Sequence, residues 1–124
     1  MPRQGVVLVG LKGFVEGEEH PLEYGQTVTI GRSRRCDICL CRSKKWAAMK
    51  PADRALHPDF MTVSRSHARI SYQDDNWIEI QDTSANGTFV DGKRISKIVI
   101  GDIKQRSHEM RIGNAEVLRL EWRE

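Results

Sequence analysis

The sequence predicts an all-β fold, a β-sandwich of two sheets, and three observations carry that expectation. Apolar residues recur in short runs at strand spacing, with hardly any helical periodicity. Turn-forming glycine, asparagine and aspartate fall between the runs. A chain of 124 residues with 39% hydrophobic content supports one core and no more, so a single domain is expected over 1–124, with 41–61 as one long insertion loop.

The strands follow in order. Residues 6–11 form the first run, and 27–30 the second, with Gly25 before it and Gly31 after it. Residues 37–40 make a short third run. Ala68, Ile70 and Tyr72 alternate on one strand face, and the polar turn Asp74-Asp75-Asn76 leads into a partner strand carrying Trp77, Ile78 and Ile80, which reads as a hairpin. Runs 88–90 and 93–95 flank Asp91-Gly92, a two-residue hairpin turn whose central positions both favour positive φ. Residues 98–100 and 110–112 follow. A last strand over 117–122 places Val117, Leu118, Leu120 and Trp122 in a mostly buried position.

The stretch 41–61 breaks this rhythm with two prolines, five basic residues and the apolar Trp46, Met49, Leu56 and Phe60. Loops of such length in compact domains tend to be functional or disordered. Pro51 is placed to open one helical turn reaching Leu56, and Trp46 and Phe60 are the expected anchors to the sandwich. The net charge of +3, from 20 Lys+Arg against 17 Asp+Glu, is an ordinary solubility feature, but its distribution is uneven. Residues 32–69 hold ten basic and three acidic residues, which makes the middle third attractive to an anion.

Several function classes are set aside. No run approaches the roughly 20 apolar residues of a membrane-spanning helix, and the start of the chain lacks the pattern of a signal peptide, so no membrane partner and an intracellular location are expected. Cys36, Cys39 and Cys41 are odd in number and crowded, which fits free thiols in a reducing compartment. With His57 they could offer three thiolates and an imidazole, but their spacing does not match a common zinc knuckle, so no metal and no cofactor are expected. A hydrolase assembled from Ser64 or Ser66 with His67 and Asp82 would lack a nucleophile elbow and an oxyanion loop; the chain is not expected to be an enzyme. The basic loop has only Trp46 as an interleaved aromatic, which disfavours nucleic acid as the partner.

Three motifs remain, each at a strand end: Gly31-Arg32, then Ser64-Arg65-Ser66-His67, then Ser84-Ala85-Asn86-Gly87-Thr88 with Asp91-Gly92 behind it. In this order, with Thr29-Ile30 before Gly31, Asp37-Ile38-Cys39-Leu40 after it, Val63 before Ser64, Ala68-Arg69-Ile70 after His67 and Asp82 before Asn86, they resemble the forkhead-associated (FHA) domain family over nearly the whole chain. The resemblance implies a sandwich of about eleven strands whose loops at one end bind phosphothreonine in a partner protein, and a binding module in place of an enzyme.

The expected site follows from that chemistry. Phosphothreonine carries about −1.5 to −2 charge near neutral pH and three strong acceptor oxygens, so its receptor needs fixed donors and a guanidinium. Arg32 supplies the guanidinium, Ser64 a hydroxyl and a loop N–H, and Arg65 a second charged donor. The resemblance assigns to Asn86 the task of holding the partner's backbone, which needs a donor and an acceptor together. Gly31 and Gly87 are expected to support the site, and the resemblance assigns to His67 the part of a buried brace for the serine loop.

Two features depart from the family pattern. Ala85 stands where many members carry threonine, which removes a hydroxyl near the phosphate. The insertion lengthens a connection that is normally short, and its Lys44, Lys45, Lys50 and Arg54 are placed to read acidic residues beside the phosphothreonine or a second phosphate. The resulting expectation is a monomeric phosphothreonine-binding module that serves a Ser/Thr kinase pathway. The alternative is a degenerate module that binds partners without phosphate.

Overall fold

The computed structural model describes residues 5–123, and its strands pair into two sheets. The chain runs through β1 (Gly5–Lys12), β2 (Glu19–Pro21), β3 (Thr27–Gly31), β4 (Ile38–Cys39), β5 (Ala68–Asp74), β6 (Trp77–Asp82), β7 (Thr88–Val90), β8 (Lys93–Ile95), β9 (Lys97–Ile100), β10 (His108–Ile112) and β11 (Glu116–Arg123). One sheet has the order β2-β1-β11-β10-β7-β8 and the other β4-β3-β5-β6-β9. The expected all-β sandwich is the observed one.

Period-two alternation explains why these segments pair as they do. In β5, Ala68, Ile70 and Tyr72 are buried while Arg69 and Gln73 face solvent; in β10, His108, Met110 and Ile112 are buried between exposed or half-buried neighbours. Leu118 and Leu120 of β11 oppose Gly10 and Leu8 of β1, and these side chains meet Ile30, Ile70, Ile78 and Ile80 across the sandwich. Each fully buried leucine or isoleucine contributes roughly 1.5–3 kcal/mol. A slip of one residue would turn a whole apolar set to water, so the pattern fixes the register.

The turns agree with their residues. Asp91 at φ 51° and Gly92 at φ 84° form the β7–β8 turn that Asp-Gly predicts. Behind it, His108 lies between two carboxylates, 2.6 Å from Asp91 and 2.6 Å from Asp102, and so joins that turn to the segment after β9. Burial raises the Asp91 pKa, but the bonds from His108 and the Glu109 N–H outweigh it and hold the carboxyl below the usual range.

Three local readings change. β2 was not expected, because Glu19-His20-Pro21 has no apolar alternation; as the edge strand of its sheet it tolerates a proline, and its pairing to β1 is supplied from outside its own sequence. β4 shortens to two residues, since Leu40 already opens a 3-10 turn, Leu40–Arg42. Trp77 begins β6 but stays half exposed, opposite Asp74 at a register shift.

The insertion is more regular than a loop. It contains two single-turn helices, α1 (Lys44–Ala47) and α2 (Pro51–Arg54), and closes with a 3-10 turn, Pro58–Thr62; Pro51 opens α2 as expected. Trp46 and Phe60 stack at 3.6 Å between centroids with 14° between planes, and Phe14, in the turn after β1, meets both edge-on. The Arg54 guanidinium donates to the Trp46 carbonyl from two nitrogens and lies 5.1 Å from the Trp46 ring. These aromatic contacts seat the segment on the sandwich. Replacing Phe60 by alanine is therefore expected to lower the unfolding free energy by about 3–5 kcal/mol in denaturant titration, with Trp46→Ala similar. A loss under about 1 kcal/mol would mean that the insertion does not share the core.

Candidate functional site

Strand register brings the three motifs to one end of the sandwich. Ile30 of β3 opposes Ala68 of β5, and Ala68 opposes Asp82 of β6, so the loop entering β5 lies beside both the end of β3 and the loop leaving β6. Thr88 of β7 opposes Ile112 of β10, which sets Gly87 beside the β10–β11 turn. The loops 64–67 and 83–87 and the end of β3 are thus adjacent.

His67 joins them. It is fully buried, its Nδ1 accepts the Ser64 N–H at 3.0 Å, and its Nε2 lies 2.8 Å from the Gly87 carbonyl. A ring nitrogen that accepts from an amide and another that must donate to a carbonyl define the neutral Nε2–H tautomer, as inferred from the partners. Its backbone continues the bracing: the His67 N–H donates to Ile30 O at 2.8 Å, and the Thr83 N–H donates to His67 O at 2.9 Å. Burial holds its pKa below the ordinary histidine value, against the opposing pull of the Gly87 carbonyl and Asp82. Both ring nitrogens are occupied, so neither serves the hydroxyl of Ser64 or Ser66 as a base.

The end of β3 lies directly against the serine loop. The Arg32 N–H donates to Ser64 O at 3.1 Å and the Ser33 N–H to Arg65 O at 3.0 Å. A Cβ on Gly31 would stand 2.2 Å from Arg65 O, so only glycine permits this approach. Arg32 Nε donates to Val63 O, and among the described residues nothing takes its terminal nitrogens. Ser64 Oγ accepts the Ala85 N–H at 3.1 Å and keeps its own proton to donate, while Arg65 extends into solvent.

The asparagine loop is shaped by Asp82. Its Oδ1 accepts from Ser84 N–H at 3.0 Å, Ser84 O–H at 2.5 Å and Thr88 O–H at 2.9 Å. Burial raises its pKa, but these donors outweigh burial and hold the carboxyl below the usual range. Ser84 Oγ in turn accepts the Gly87 N–H at 2.8 Å, and Gly87 adopts φ +103°, in the region that favours glycine. Asn86 is exposed, and its Nδ2 donates to Thr62 O at 3.0 Å. Thr62 is a residue that sequence reasoning missed. It ends the 3-10 turn that follows α2, and its hydroxyl donates to Asp59 O and accepts the Asn114 N–H, so it links the asparagine loop to the β10–β11 turn. No residue pattern near Thr62 marks that role; only the packing reveals it.

The insertion cations are partly committed elsewhere. Lys45 pairs with Glu16 at 3.1 Å and Arg54 donates to the Trp46 carbonyl, so both have partners within the fold. The thiols contribute to the backbone frame: Cys36 Sγ donates to Arg65 O at 3.1 Å and Cys39 Sγ to Arg32 O at 3.6 Å. Burial pushes the Cys36 and Cys41 thiols above the ordinary range, and all three cysteines are free.

The family model of the FHA domain matches residues 28–112, which contain all three motifs. This chain belongs to the FHA family. A curated relative, the ABC transporter ATP-binding/permease protein Rv1747 of Mycobacterium tuberculosis, is 29% identical over 101 residues, covering 82% of this chain; the chain spans 9% of that protein's length. The FHA domain of CT664 from Chlamydia trachomatis superposes with a TM-score of 0.67 at 25% identity, covering 96% of this chain and 97% of that one. An FHA domain whose structure was determined in an analysis of phosphothreonine-dependent FHA interactions gives a TM-score of 0.65 at 23% identity, covering 98% and 99%.

The neutral state of His67 in this FHA domain has a pH consequence. Its folded pKa is lower than its unfolded one, so its contribution to stability is intact above about pH 6.5 and is lost progressively as the pH falls below that value. Thermal unfolding of the wild type should show this slope, and His67→Gln, which cannot take up the proton, should flatten it while lowering stability throughout. A variant slope as steep as that of the wild type would assign the effect to another histidine.

Proposed function

We propose that this FHA domain, taken as one module over 1–124 and acting by binding without catalysis, captures a partner protein through a phosphothreonine. Arg32, Ser64 and Arg65 take the phosphate, and Asn86 holds the adjacent partner backbone. The observation that carries the reading is the state of Arg32. Its Nε is fixed on Val63 O while, among the described residues, its terminal nitrogens remain unspent, beside a serine hydroxyl that still has a proton to give. A guanidinium pinned at one nitrogen loses little freedom when the others bind a phosphate.

Two further features support it. The loops are braced before any ligand arrives, so binding does not have to order them. Ala85 lacks the usual hydroxyl, yet its N–H on Ser64 Oγ keeps the serine and asparagine loops in contact, which favours a working site over a degenerate one. Asn86 donates to Thr62 through Nδ2, and its side-chain carbonyl is left to accept a backbone N–H from the partner.

Fluorescence anisotropy with phosphothreonine, phosphoserine and unphosphorylated peptide pools tests this directly. Affinities of about 0.1 to 100 μM are expected for the phosphothreonine pool. Arg32→Ala should weaken binding at least about a hundredfold, while stability drops only about 1 kcal/mol through the lost bond to Val63. Equal binding of all three pools, or binding that survives Arg32→Ala, would overturn the proposal.

A further inference from the structure

The two insertion cations bound within the fold leave open what, if anything, reads the residues around the phosphothreonine. Outside the basic middle third, at the edge of the binding end, stands Arg94 in β8. In the β7–β8 pairing Arg94 opposes Phe89, and Phe89 opposes Arg111 in the β7–β10 pairing. The neighbours Thr88, Val90, Met110 and Ile112 are buried, so Phe89, Arg94 and Arg111 share the outer face of the six-stranded sheet.

The two arginines of this row differ. Arg111 is spent: its guanidinium carbon lies 4.0 Å from the Phe89 ring centroid and a terminal nitrogen donates to Gly113 O at 2.8 Å. Arg94 is exposed, and among the described residues its guanidinium has neither a carboxylate nor a carbonyl partner. Yet it is not extended into solvent away from the protein. A Cβ built on Gly87 would stand 2.9 Å from Arg94 Nε and 3.1 Å from its guanidinium carbon, so the group lies against the Gly87 backbone, next to Asn86. Arg32 and Arg54 each donate to a backbone carbonyl and Lys45 pairs with Glu16, whereas Arg94 keeps a full planar set of donors at the edge of the asparagine loop.

We infer that Arg94 is a specificity-determining residue that binds an anionic side chain, a carboxylate or a second phosphate, on a residue flanking the phosphothreonine on the side held by Asn86. The inference rests on the proposed phosphothreonine site. Ser64 reaches Ala85, Asn86 follows, and Arg94 covers Gly87, so the path along the loop from the phosphate to Arg94 is about two residues. An extended peptide rises about 3.3 Å per residue, which places the anionic residue within about three positions of the phosphothreonine. Glycine at 87, already favoured by its φ of +103°, leaves the space that the guanidinium occupies; a side chain there would displace it.

The experiment uses peptides with one phosphothreonine in an alanine background, with a single glutamate, phosphoserine or lysine walked through the three positions on either side. Anisotropy is measured for the wild type, Arg94→Gln and Arg94→Glu, each checked for folding by thermal unfolding. One position on one side should show tighter binding with glutamate than with alanine, by about two- to fivefold, and more with phosphoserine. The advantage should shrink as salt is raised. In Arg94→Gln the ratio of acidic to alanine peptide should fall to about one, and in Arg94→Glu the preference should turn to lysine at the same position. A glutamate preference with none for phosphoserine would assign the site to carboxylates; the opposite would assign it to a second phosphate. Phosphate-dependent binding with no acidic preference, or a preference unchanged in Arg94→Gln, would overturn this inference alone. Absence of binding to every phosphothreonine peptide would overturn the phosphothreonine site as well.

Discussion

The binding end of this protein depends on one neutral imidazole. His67 accepts a hydrogen bond from the serine loop and donates one to the asparagine loop, and it does so from a position with no access to water. In that environment each bond is strong and its loss leaves a buried polar group without a partner. Neither a lysine nor a carboxylate could replace it, because the two contacts need an acceptor and a donor on opposite edges of one rigid ring. The positions of Ser64 and Gly87, and with them the orientation of the ligand-facing groups, follow from that ring.

Most of the fold was legible because the sandwich is written in short-range terms. Alternation marked β5, β10 and β11, and Asp91-Gly92 marked its hairpin through the conformational preference of two residues. β2 was not legible, since its existence depends on the edge that β1 offers and not on Glu19, His20 or Pro21 themselves. The same distinction holds in the site. Arg32, Ser64 and Asn86 stand in motifs at strand ends, and the family resemblance assigned His67 the part of a brace. Thr62 meets Asn86, far along the chain, and Arg94 lies against Gly87 across the β7–β8 hairpin, and nothing in their local sequence announces those contacts.

The insertion shows how geometry divides the roles of a charged segment. Its five basic residues suggested a surface that collects anions. Two of them are used within the fold: Lys45 answers Glu16, and Arg54 caps the Trp46 carbonyl while lying over its ring. The segment adds aromatic mass, with Phe14, Trp46 and Phe60 packed edge-on and face-to-face, and it delivers the Thr62 carbonyl to Asn86. Its contribution to the binding end is therefore mechanical as much as electrostatic.

The braces between the loops share a feature. The acceptors are largely backbone carbonyls, those of Ile30, Thr62, Val63, Ser64, Arg65 and Gly87. Every residue type carries a carbonyl, so the side chains at several of these positions are free to drift without dismantling the frame. Such a scaffold separates two evolutionary pressures. Exposed side chains on the loops can be exchanged to follow a changing partner, while the geometry that presents them is inherited through the main chain.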